Sequence, residues 1–186
     1  KTVIANNGRI VKYIGDSVFA EFNTPDSACC AALSIQEQLL ERNLLSRKKE
    51  HIHIRLGIHS GVAIREGGDL FGNDINITSR IESIAQQDSV FISDRVMLNL
   101  DSSANYYSRP ISNVKLKNIN ITMTLHKLYL KKTELEQESS IELIESLVET
   151  GVTFIDKELT FNYDMKSVGI LVFKCVDDSY YSYGLC

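Results

Sequence analysis

The chain has 186 residues, of which 24% are charged, with a net charge of -4. That length suits one domain of ordinary size plus a remnant. The acidic balance excludes the basic footprint of a nucleic-acid binder, and the apolar runs are too short to cross a bilayer. The four cysteines, Cys29, Cys30, Cys175 and Cys186, show neither metal-ligand spacing nor a disulfide framework, so a reduced, cytoplasmic setting is expected. Lys1 stands where an initiator Met would, so the sequence is expected to begin inside something longer, without a signal peptide.

Two β-prone runs open the chain, Ile10–Ile14 and Val18–Phe22. Gly15-Asp16 between them is a favoured two-residue turn and predicts a hairpin over 8–22. Thr24-Pro25-Asp26 reads as a cap, a first helical position and an acid at the positive helix end. The helix they start is expected to run to about Arg47, with Ala28, Ala31, Ala32, Ile35, Leu39 and Leu40 inward. Ile52, Ile54, Leu56 and Ile58 alternate with His51, His53, Arg55, Gly57 and His59, a strand with one buried face. The histidines on its other face are expected to be solvated or packed at an interface rather than to bind metal. Gly61 leads to a short strand, Val62–Arg65.

After a turn at Gly67-Gly68-Asp69, Ile77, Ile81, Ile84 and Ala85 recur at i, i+4, i+7 and i+8, the stripe of a helix buried on one side. Asn76 and Arg80 are four apart and share a face. An amide and a guanidinium projecting together can hold an oxyanion; the same spacing also fits a solvated Asn–Arg pair. Val90–Ile92 reads as a buried strand, Ser93-Asp94 as the cap of a short helix, Tyr106–Lys117 as irregular to strand-like, and Thr124–Leu130 as a last strand. Strands, hairpins and helices in this order give an α+β or α/β layer fold. Leu135–Val148 is an acidic amphipathic helix stopped at Thr150-Gly151, and Val152–Ile155 and Val168–Val176 are strand-like. Two parts are expected, a domain over 1–132 and a linker with an unassigned fragment over 133–186.

Three segments, Gly8–Phe22 (GRIVKYIGDSVFAEF), Arg55–Gly61 (RLGIHSG) and Asp69–Glu82 (DLFGNDINITSRIE), together resemble the catalytic domain of the class III adenylyl and guanylyl cyclases, in order and spacing. Val114–Asn118 (VKLKN) is a weaker match. The likeness is closest to bacterial cyclases and covers about residues 1 to 131. It implies a ferredoxin-like βαββαβ-type sheet with helices on one face. It also implies adenylate cyclase activity, ATP going to cyclic AMP and pyrophosphate by two-metal chemistry with Mg²⁺ or Mn²⁺. Asp16 takes the place of a metal-binding aspartate. Lys12 and Asp69 take the places of the pair that reads adenine at its ring nitrogen and amino group; guanylyl cyclases usually carry Glu and Cys there. Asn76 would orient the ribose, Arg80 would stabilise the α-phosphate, and Lys117 would hold the terminal phosphates, although Asn118 stands where the family usually has Gly. The implied assembly is a head-to-tail homodimer whose sites are shared between chains.

The resemblance starts late. The family's first metal aspartate ends a central strand ahead of the hairpin, and neither that strand nor the helix after it is present before residue 8. The fragment alone is therefore expected to be inactive, whatever the parent does. Val168–Phe173 with Asp177 is a faint echo of that strand. Alternatives are a non-catalytic cyclase-like domain that binds nucleotide or dimerises, and a guanylate cyclase. Gly67–Phe71 (GGDLF) also resembles the Gly-Gly-Asp-Glu-Phe signature of diguanylate cyclases. That signature sits at a hairpin tip and runs into a strand, whereas a helix is expected here and the Glu is missing.

Overall fold

A computed structural model describes residues 1–117 and 122–154, and the backbone of 168–175. A short helix α1 (Thr2–Ala5) leads into the hairpin β1 (Gly8–Ile14) and β2 (Ser17–Phe22). Gly15 at the turn has φ +60, which glycine adopts without a Cβ penalty. The long helix α2 (Pro25–Leu45) starts as the sequence predicts. Thr24 caps it by accepting from the Ser27 N–H, and Pro25 sits in its first turn. Its inward face differs from expectation at three residues. Cys29 and Gln36 are buried, whereas Leu40 is exposed. Gln36 finds a partner by donating to the Ser89 carbonyl at 3.5 Å.

The chain continues through β3 (Ile54–Gly61), a small hairpin of β4 (Ile64–Glu66) and β5 (Asp69–Phe71), helix α3 (Asn73–Ile84), β6 (Ser89–Ser93) and α4 (Asp94–Leu98). Gly67 and Gly68 form the β4–β5 tip, with φ of +58 and +85. The tip does run into a strand, contrary to the sequence reading, but α3 follows it directly. Ser93 does not cap α4 with its side chain, because its hydroxyl meets His59 instead, at 2.7 Å.

The strands β7 (Tyr107–Lys115) and β8 (Thr122–Tyr129) pair antiparallel, with Pro110 opposite His126. The predicted helix over 135–148 is two helices, α5 (Lys132–Gln137) and α6 (Ser140–Glu149). Ser139 and Glu142 form a capping box that restarts the helix. Arg109 fixes the joint, donating to the carbonyls of Leu135 and Glu138 at 2.6 Å each. The described chain closes with β9 (Thr153–Phe154) and β10 (Val168–Cys175).

Among the described residues, eight strands form one sheet in the order β1-β2-β10-β3-β6-β8-β7-β9, and β4-β5 stand apart. The α+β class is as expected; two details of the expectation are not. The helices lie on both faces rather than one. Ala28, Ala31 and Ala32 of α2 pack with Leu56, Ile58, Val90 and Ile92. Ile77, Ile81 and Ile84 of α3 pack with Phe91, Leu125 and, from α6, Leu143 and Leu147. Alternation makes β6 apolar on both sides, so both sides need cover. The segment after residue 132 thus contributes to the second core layer. Gly57 permits α3 its approach to the sheet, since a Cβ there would lie 2.4 Å from the Glu82 backbone nitrogen.

The second difference is the central strand. β10 runs antiparallel to both β2 and β3, pairing Gly169 with Phe22 and Val168 with Gly61. The slot expected to be empty is occupied by the far end of the chain. Unpaired inner edges of two buried strands are costly, and an apolar run of strand length satisfies both. Asp177 lies outside the described residues. No helix among those described is long and apolar enough to cross a membrane.

Candidate active site

Lys12 is aimed by an irregularity in β1. Ile10 pairs with Ala20, but Lys12 pairs with Phe19, so one extra residue, Val11, is inserted. Plain alternation would put Lys12 on the same side as Ile10, against α2. The bulge turns it to the opposite face, where Val11, Phe19, Leu70 and Ile75 pack together. There Lys12 Nζ donates to Asp69 Oδ2 at 2.6 Å. It also lies 5.9 Å from the Phe19 ring and 5.7 Å from the Phe71 ring, a setting that favours a cation. The two residues are 57 apart in sequence and meet only because β5 lies beside β1.

Asp69 is held from both sides. Its Oδ1 accepts the Leu70 N–H at 2.7 Å. The Lys12 hydrogen bond, then the Leu70 N–H and the Lys12 and Arg9 charges, keep its carboxyl below the usual carboxylate range. It therefore stands as an acceptor at neutral pH, with lone pairs to spare beside a donor that has two more protons to give.

On α3, Asn76 is exposed and Arg80 partly so. Ile77 and Ile81 anchor the opposite side of the helix. Asp16 sits in the β1–β2 turn and Lys117 is exposed just beyond β7; Asn118 lies outside the described residues. The structure thus brings Lys12 and Asp69 into contact, and presents Asn76 and Arg80 on one helix face. Asp16 and Lys117 stand on other elements.

Several participants escaped the sequence reading. His59, expected at the surface, is buried. Its Nδ1 lies 2.7 Å from Ser93 Oγ and its Nε2 3.3 Å from Asp74 Oδ1. Asp74 also accepts the Val62 N–H at 2.7 Å and pairs with Arg95 at 3.5 Å. These contacts pin the first turn of α3 to β3 and β6. Burial pushes the Asp74 carboxyl up, but the His59 and Val62 hydrogen bonds and the His59 and Arg95 charges outweigh it and hold it low. A carboxyl depressed in the folded state stabilises it above the unfolded pKa, about 3.9, and that stabilisation is lost as pH falls through the folded pKa. Asp74→Asn is expected to cost about 1–3 kcal/mol near neutral pH. Urea midpoints should show the gap to the wild type closing below about pH 4. His53 pairs with Asp88 at 2.6 Å and stacks edge-on with His51, so the three histidines do not converge.

A groove of about 1060 Å³ lies elsewhere, between α2 and α5, near His53 and Lys127. Lys127 and Tyr129 in its wall both bond Glu138, so these groups are already engaged with one another.

Residues 2–132 match the model of the adenylate and guanylate cyclase catalytic domain. The chain belongs to that family. Adenylate cyclase 1 of Rhizobium meliloti (strain 1021) is 27% identical over 147 residues, 69% of this chain and 22% of that protein. The adenylate cyclase of Streptomyces coelicolor is 32% identical over 90 residues, 48% of this chain and 22% of that one. The chain thus spans less than a third of the length of either. Among solved structures, an adenylate/guanylate cyclase/hydrolase from Silicibacter pomeroyi superposes with a TM-score of 0.63 at 30% identity, covering 68% of this chain and 75% of that one. The catalytic core of a rhodopsin-guanylyl cyclase with converted specificity, in complex with ATPαS, shares the fold, with a TM-score of 0.59 at 24% identity, covering 68% and 73%.

Proposed function

We propose that this cyclase domain takes ATP and forms cyclic AMP and pyrophosphate, with Lys12 and Asp69 reading the base. The observation that carries this is the Lys12–Asp69 contact at 2.6 Å. An ammonium donates to the adenine ring nitrogen, and a carboxylate accepts from the exocyclic amine. The similar proteins of Rhizobium meliloti and Streptomyces coelicolor are adenylate cyclases, which supports the reading. Asn76 orients the ribose, Arg80 takes up charge on the α-phosphate as the 3′-hydroxyl attacks, and Lys117 holds the terminal phosphates. The catalytic and base-reading residues all lie within 1–132, while α6 and β10 from the later segment complete the core layer and the sheet that carry them.

Asp16, in the place of the second of the family's two metal aspartates, would help hold divalent ions, Mg²⁺ or Mn²⁺, two per site. A carboxylate at a turn tip suits Mg²⁺, an ion bound by one or two carboxylates with the rest from substrate phosphates and water. When bound, such ions neutralise the triphosphate and acidify the attacking hydroxyl. The working form is a head-to-tail homodimer in which Asp16 of one chain and Arg80 of the other serve one site.

The full-length parent, incubated with Mn²⁺ and each nucleotide, is expected to form cyclic AMP from ATP at least about tenfold faster than cyclic GMP from GTP, the ratio that one unsatisfied hydrogen bond imposes. A faster reaction with GTP overturns the reading. Nucleotide binding without turnover in the parent favours the non-catalytic alternative.

A further inference from the structure

The hairpin that carries Asp69 has little of its own to hold it. It is a two-stranded sheet detached from the main one, and an isolated two-stranded hairpin is marginal in water. Its tip is Gly67-Gly68, with no side chains to pack. Leu70 anchors one point by burial against Phe19.

The remaining attachment is ionic. Glu21, on β2, has a side chain only 12% exposed. Its Oε1 accepts from Arg9 Nε at 2.6 Å. Arg65 Nη2, on β4, donates to both of its oxygens, at 2.9 and 3.0 Å. Arg9 Nη1 then donates to the Gly68 carbonyl at 3.1 Å, one residue before Asp69. One carboxylate thus ties both the outgoing strand and the tip of the hairpin to the β1–β2 ladder.

We propose that Glu21 is a positioning residue for base selection, clamping the β4–β5 hairpin through Arg9 and Arg65 so that Asp69 stands opposite Lys12. The proposal rests on Lys12 and Asp69 reading the base. The chemistry of the clamp suits the task. Two guanidiniums share one carboxylate, leaving net positive charge beside Asp69, which keeps that residue an acceptor. Arg65 Nη2 spans both carboxylate oxygens, and these charge-assisted contacts hold β4 against β2. Burial raises the Glu21 carboxyl, and the Arg9 and Arg65 hydrogen bonds and charges more than reverse it, so the clamp stays ionised at neutral pH. The clamp's effect on the nucleotide runs through Asp69, and therefore through the base.

The test is a titration of the full chain with 3′-deoxy-ATP and 3′-deoxy-GTP in Mg²⁺, nucleotides that bind but cannot cyclise. Glu21→Gln is expected to weaken 3′-deoxy-ATP about tenfold, the worth of one charge-assisted hydrogen bond, with 3′-deoxy-GTP changed less than about twofold. Arg65→Lys, at a more exposed position, keeps the charge but changes the reach and geometry of the contact; it should show a smaller change of the same kind. Equal loss for both nucleotides, or no loss for either, in variants with wild-type circular dichroism overturns the clamp. Asp69→Ala in the same titration separates the two layers. If it leaves the ATP-over-GTP ratio intact, the base-reading assignment fails and takes the clamp with it. If it erases the ratio while Glu21→Gln does not, the clamp alone fails.

Discussion

Asp16→Ala and Arg80→Ala are each expected to silence the full-length domain as homodimers, and a mixture of the two is expected to recover roughly a quarter of wild-type activity. The reason is the division of labour in a two-fold pair. If Asp16 of one chain and Arg80 of the other serve the same site, a mixed dimer has one site with both lesions and one with neither. Random exchange makes about half the dimers mixed, each with a single working site. Arg80→Ala should lower turnover by about 10²–10³ while changing ATP affinity little, because the charge it meets develops at the α-phosphate in the transition state. Cyclic AMP formation across a series of mixing ratios measures this. If subunit exchange is demonstrated and the mixture stays silent, the shared site is excluded.

The second large effect concerns the base. Lys12→Glu combined with Asp69→Cys is expected to depress ATP use and shift preference toward GTP. Two mismatched hydrogen-bonding groups against the base are together expected to move the ATP-to-GTP ratio by about a hundredfold or more. The 2.6 Å ion pair adds a reason to change both residues at once. A single change leaves the other charge without its partner in a half-buried setting and confounds stability with selectivity. The measurement is kcat/KM for both nucleotides in the parent. An unaltered ratio in a folded double variant would sink the assignment.

The features legible in the sequence were those set by neighbours along the chain. The Gly15-Asp16 turn, the Thr24-Pro25 start of α2 and the Ile77/Ile81/Ile84 stripe of α3 each depend on a few consecutive residues, and each is found where expected. The bulge at Val11 was not legible, because a single inserted residue leaves the pattern of apolar residues nearly unchanged while moving Lys12 to the other face of the sheet. The break between α5 and α6 did leave a signal in the Ser139/Glu142 capping box, but the continuous apolar stripe across it pointed to one helix. The Arg9–Glu21 half of the clamp could have been found from the hairpin register, since the two residues are cross-strand partners. Arg65 and Gly68 join them from a hairpin more than forty residues away in sequence, and no local pattern reports that. Recognition of the cyclase pattern singled out Lys12 and Asp69 but carried no information on what holds them together.

The placement of β10 has a consequence for the order in which the molecule can be made. Its partners on either side are β2 and β3, so the centre of the sheet is closed by a pairing between residues about 150 positions apart, such as Phe22 with Gly169. During synthesis the hairpin, α2 and β3 emerge long before the strand that joins them. Within this sequence the facing edges of β2 and β3 are joined only once β10 has been made, and open edges are where β structure is most prone to pair with the wrong chain. Folding dominated by so distant a contact is slow compared with folding of the helices around it. The α2 layer can collapse early; the sheet beneath it becomes continuous last.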